Sequence, residues 1–93
     1  MSADVQTLNG VTTGRYVVTT SSGTRHEVDL DEHTATRYPG VGHEWAGLYN
    51  DVTPDGEPME YTTLRTATVG RRMCISNAYE WRVSTVVVSI EAL

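Results

Sequence analysis

The chain has 93 residues, one cysteine and a formal net charge of −5, with 39 % hydrophobic residues. That length makes one domain able to bury somewhat more than about 60 % of its unfolded surface, and the acidic balance argues against a nucleic-acid partner, whose phosphates are held by clustered Lys and Arg. One cysteine excludes an internal disulfide; no apolar stretch has the length of a membrane span, and Met1 to Gly10 lacks the basic and apolar regions of a signal peptide, so the expected location is cytoplasmic.

Residues 1–13 are polar without a sustained period and read as a flexible tail or an edge strand carried by Val5, Leu8 and Val11. The remaining residues, 14–93, form the domain. From Arg15 onward, Tyr16 and Val18, then His26, Val28 and Leu30, alternate with polar residues across Ser21-Ser22-Gly23. Alternation of period two is the pattern of a half-buried strand, and two such runs around a glycine-bearing loop make a hairpin. A loop of Ser21, Ser22 and Gly23 sets Val18 against His26, Tyr16 against Val28 and Arg15 against Asp29, whereas a shorter one sets Val18 against Glu27. The first is expected, with Gly23 in the left-handed conformation that closes such a turn.

The same criterion applied to the next connection favours a loop of Asp31, Glu32 and His33, with His33 left-handed. It pairs Glu27 with Arg37 outside and His26 with Tyr38 inside, completing a three-stranded meander. Pro39-Gly40 breaks the third strand, and residues 39–58 hold seven Gly and Pro residues. Connections of this length are often functional. Within this one, Trp45, Leu48 and Tyr49 stand at i, i+3 and i+4, the spacing of one face of a short helical turn.

Met59 to Thr68 reads as a fourth strand, and Gly70–Ser76 and Glu80–Ala92 as the last two, forming a hairpin around Asn77-Ala78-Tyr79. Pairing Ile75 with Trp81 and Met73 with Val83 keeps apolar groups together. Val86, Val87 and Val88 are consecutive and apolar on both faces, so the last strand is expected to be central and either covered on both sides or turning a corner of a barrel. The expected fold is all-β: a small single-domain barrel or roll of about six mostly antiparallel strands with meander connections, closed so that few edges are exposed.

Candidate chemistry is sparse. The sequence has no His-x-His, HExxH or Cys-x-x-Cys pair, no nucleophile elbow and no glycine-rich phosphate loop. Neither a metal, a cofactor nor a catalytic residue is therefore assigned, and no enzymatic activity is expected. His26 reads as a core-edge histidine bonded to the Tyr38 hydroxyl or to backbone, His33 as a turn residue, and Cys74 as a packed side chain with Arg82 opposite it.

The function read from these residues is a non-catalytic binding or assembly module that works through the 39–58 loop and a sheet edge. Trp45, Leu48 and Tyr49 are its protein-binding candidates, because aromatic anchors on long loops are what binding hot spots are made of. The partner is another protein or a second copy in a homodimer. One alternative is an anion, nucleotide or nucleic-acid contact through an arginine face of Arg65, Arg71, Arg72 and Arg82. Another is a small metal-dependent enzyme using His26, His33 or His43.

Overall fold

The computed structural model describes residues 5–39, 48–50 and 56–93, which form an all-β fold. Eight strands occur among them: β1 (Arg15–Thr20), β2 (Arg25–Asp29), β3 (Thr34–Tyr38), β4 (Leu48–Asn50), β5 (Pro58–Glu60), β6 (Thr63–Thr66), β7 (Arg72–Ser76) and β8 (Trp81–Ala92). All pairings are antiparallel, in the order β5-β3-β2-β1-β8-β7-β6, with β4 added on β8. The sheet curls into a half-barrel.

Two strands exceed the expected six. The stretch from Met59 is divided at Tyr61-Thr62 into β5 and β6, which are consecutive in sequence yet stand at opposite ends of the sheet order. The corner ties these ends together. The Tyr61 amide donates to the His33 carbonyl at 2.9 Å, on the β3 side, and the Thr62 amide to the Ser76 carbonyl at 2.9 Å, on the β7 side. Strand β4 is the other addition: Leu48 and Tyr49, expected on a helical turn, pair with Val83 and Arg82. Trp45 lies outside the described residues.

The first hairpin has the expected register, Val18 opposite His26 and Tyr16 opposite Val28, and Gly23 is left-handed at φ 87°. The next two connections do not. Across β2 and β3, His26 faces Arg37 and Arg25 faces Tyr38, one residue out of the expected register. Across β7 and β8, Ile75 faces Arg82 and Ser76 faces Trp81, again one residue out.

Both shifts have the same local cause, a side-chain acceptor at the start of the turn. Asp29 Oδ1 accepts from the amides of Asp31 and Glu32, each at 3.0 Å, and Asn77 Oδ1 accepts from those of Tyr79 and Glu80 at 2.8 and 2.9 Å. Asx side chains that take two backbone donors in this way fix a turn independently of the strands it joins. His33, at φ 55°, then returns the first of these turns in the left-handed conformation expected of it.

The core lies inside the curl. Val18, Val28, Ala35 and Met59 line it from β1, β2, β3 and β5, and Met73, Ile75, Val87 and Ile90 from β7 and β8, all at 1 % exposure or less. Residues 5–11 lie against it. Leu8 is buried, its amide donates to the Ala67 carbonyl at 2.8 Å, the Val5 amide donates to the Ile90 carbonyl at 3.0 Å, and Val5 and Val11 pack on the cluster.

Strand β8 is central, with β1, β7 and β4 as neighbours. Register shifts against both β1 and β7 bracket its valine run: opposite β1 the extra residue is Val88, and opposite β7 it falls between Val83 and Val86. A bulge re-aims the following side chain and bends the strand. Hence Ser84, Val87 and Ile90 are buried at a spacing of three instead of two, and the strand is not covered on both faces, because Val86 and Val88 are exposed on either side of Val87. Ser84, next to the second shift, accepts the Met73 amide at 2.9 Å in place of a ladder carbonyl.

Candidate functional site

Two polar features arise from this register. The first is interior. Because β3 is displaced by one residue, Arg37 points inward beside His26 while Tyr38 points outward at 36 % exposure. The displacement of the last hairpin likewise turns Arg82 inward. His26, Arg37 and Arg82 are each at most 2 % exposed, with Glu80 and Ser84 also buried. The expected bond from His26 to the Tyr38 hydroxyl or to backbone is absent: the two side chains lie on opposite faces, and neither His26 ring nitrogen has a hydrogen-bond partner among the described residues.

Burial first, then the charges of Arg37 and Arg82, lower the pKa of His26 to about 3. Its ring is therefore neutral at physiological pH and acts as a filler between charged neighbours, not as a proton carrier.

The second feature is an open cleft of about 450 Å³ at the end of the half-barrel where the β5–β6 corner meets the β2–β3 turn. Residues 8–12 make one wall, Leu30 and His33 a second, and Tyr61, Thr62 and Leu64 the third. Its floor is core, because Leu8, Leu30 and Tyr61 are themselves buried. The His33 and Tyr61 rings meet edge to face at 5.8 Å and 63°. Burial, and after it the charge of Asp29, raises the Tyr61 pKa, so the phenol keeps its proton and can donate or accept a hydrogen bond. Five apolar or aromatic side chains with a few hydroxyls and one imidazole are the lining of a small-molecule site, and the volume falls within the usual range of about 300–1,000 Å³.

Comparison with protein families, curated proteins and solved structures gives no match.

The residues singled out from sequence are scattered. Arg82 is buried, whereas Arg65, Arg71 and Arg72 are exposed, so the four do not share the outer face that the expected register gave Arg72 and Arg82. Cys74 is half-buried on β7 opposite Val83, not opposite Arg82. Leu48 and Tyr49 are on β4, while Trp45 and His43 lie outside the described residues. Among the described residues no group of three His, Cys, Asp or Glu side chains is placed to hold a metal ion, and no helix is long and apolar enough to cross a membrane.

Sequence reasoning missed the cleft and Arg37. The i, i+3, i+6 spacing of Val5, Leu8 and Val11 was the available signal for the wall, since a segment meant only for solvent has no reason to space its apolar groups. Arg37 had no signal, because its inward position depends on how the Asp29 turn counts residues.

Proposed function

We propose that this chain is a small non-catalytic binding or assembly module whose working surface is the barrel-end cleft. The observation that supports this best is the composition of the cleft: a solvent-open volume over buried Leu8, Leu30 and Tyr61, with half-buried Val11 and Leu64 and with hydroxyl and imidazole groups around it. A ligand that fills it displaces water from the apolar part of that lining.

Support for the surfaces expected from sequence is weaker. A sheet edge suits assembly when it is long and flat, yet β5 is three residues opening on Pro58 and β6 is four residues with a register shift beside Arg65. Short strands, proline, bulges and charge are the devices that keep edges from pairing. The 39–58 loop contributes β4 to the sheet, and its aromatic anchor Trp45 retains its place in the proposal.

Amide chemical-shift mapping of the labelled protein against a chemically mixed set of small apolar and amphiphilic molecules tests the reading. Shifts gathered on residues 8–12, 30–33 and 61–64 support it. Shifts elsewhere, or none across the set, overturn it. For the assembly limb, light scattering of the native chain and of Trp45→Ala should show a dimer that the folded variant loses; a native monomer removes that limb and leaves the cleft reading standing.

A further inference from the structure

The walls of the cleft hold no permanent cation. Among the described residues none that lines it is arginine and His33 is the one ionisable base, and the sequence has no lysine. Carboxylates stand close by. The turn that carries His33 also carries Asp31 and Glu32, both exposed, and begins at Asp29. The negative field reaches the floor, because the charge of Asp29 is one of the two causes that hold the Tyr61 proton in place.

The remaining polar groups of this wall lean the same way. Thr62 Oγ1 gives its proton to the Ser76 carbonyl at 3.3 Å, which leaves its lone pairs to accept from a ligand. The Tyr61 hydroxyl belongs to the same wall and adds lone pairs of its own. An anion entering here would find no guanidinium or ammonium among the described lining residues to offset the charge of the neighbouring Asp31-Glu32 turn.

We propose that the cleft binds a small organic monocation, an amine whose apolar body of about one ring lies against the half-buried Val11 and Leu64 while its ammonium sits at the mouth beside the Asp31-Glu32 turn that carries His33. This rests on the cleft being the working surface. Specificity comes from both ends of the ligand: the apolar floor rejects inorganic cations, and the acidic turn rejects carboxylic acids of the same shape.

The test titrates the labelled full-length chain at low salt with 2-phenylethylamine, with the near-isosteric acid 3-phenylpropionate and with the neutral 3-phenylpropanamide. The amine should move the amides of residues 8–12, 30–33 and 61–64 and bind about tenfold more tightly than the acid, the ratio that about 1.4 kcal/mol of charge discrimination gives. Neutralising the turn with Asp31→Asn and Glu32→Gln together should shrink that ratio several-fold and leave the amide-bearing probe unchanged. If the acid or the neutral probe binds at the same residues as tightly as the amine, the monocation assignment is overturned and the cleft reading survives. If none of the three probes moves the cleft residues, the monocation assignment fails, and the cleft reading is then decided by the mixed set. If methylammonium moves the same amides as strongly as 2-phenylethylamine, the apolar body contributes nothing and the proposal is overturned.

Discussion

Replacing His26 with leucine probes the interior in two ways at once. The side chain is 2 % exposed, and its two ring nitrogens have no partner. A buried polar group left unpaired costs about 1–3 kcal/mol, so an apolar residue of similar volume should leave the protein at least as stable at pH 7. The pH dependence is the sharper readout. In the folded chain the imidazole takes a proton only near pH 3, against an ordinary value of 6.5. Between those values the unfolded state binds the extra proton, so folding stability rises with pH there and is lost as pH falls. The loss amounts to about 2 kcal/mol from pH 7 to 5 and about 3 kcal/mol by pH 4, from roughly 1.4 kcal/mol per pH unit once the unfolded histidine is charged. For a domain this size that is a large share of a total stability of roughly 5–14 kcal/mol. Urea denaturation by tryptophan fluorescence, repeated from pH 7 to 4 on the native chain and on His26→Leu, measures the difference directly. His33 and His43 are common to both proteins and cancel. The variant should lose markedly less stability than the native chain over the first two pH units; two parallel curves would refute the reading of His26 as a neutral histidine buried between arginines.

Further consequences concern the turn, the corner and the wall. Asn77→Ala removes the acceptor of the Tyr79 and Glu80 amides and the donor to the Glu60 carbonyl, bonds that are exposed or part-buried, and should cost about 1 kcal/mol in urea denaturation, the usual cost of a lost cap. Val88→Thr should change stability by less than about 0.5 kcal/mol, whereas Ile90→Ala, two residues on, should cost about 2–5 kcal/mol; equal effects would mean that the bulge does not divide the faces as described. Leu8→Ala should cost about 2–3 kcal/mol, low in the range for buried leucines because the neighbouring cleft lets the site relax, and it should raise hydrogen exchange at the Val5 and Leu8 amides before that of the sheet. A change within error would place residues 5–11 outside the cooperative unit.

The sequence determined what depends on neighbours along the chain. Period-two alternation from Tyr16 to Leu30 was enough for the all-β class, and Gly23 fixed the first hairpin because a left-handed residue at one loop position admits one register. The valine run of 86–88 pointed to a central strand, which β8 is, but not to one covered on both faces, since Val86 and Val88 are exposed on either side of buried Val87. Two later registers were decided otherwise. Matching apolar to apolar across strands favoured His26 with Tyr38 and Ile75 with Trp81, but the turns at Asp29 and Asn77 count one residue more, and the folded chain accepts buried arginines in return. Side-chain pairing preferences are each worth roughly 0.2–1 kcal/mol, so two turn bonds set against them, charge-assisted where the acceptor is the Asp29 carboxylate, are enough to move a strand by one position. That single step turned Arg37 and Arg82 inward and took Arg82 away from Arg72. The cleft is further still from sequence, because it is assembled from residues 8–12, the β2–β3 turn and the β5–β6 corner, which come together only when the curled sheet brings its two ends to one place.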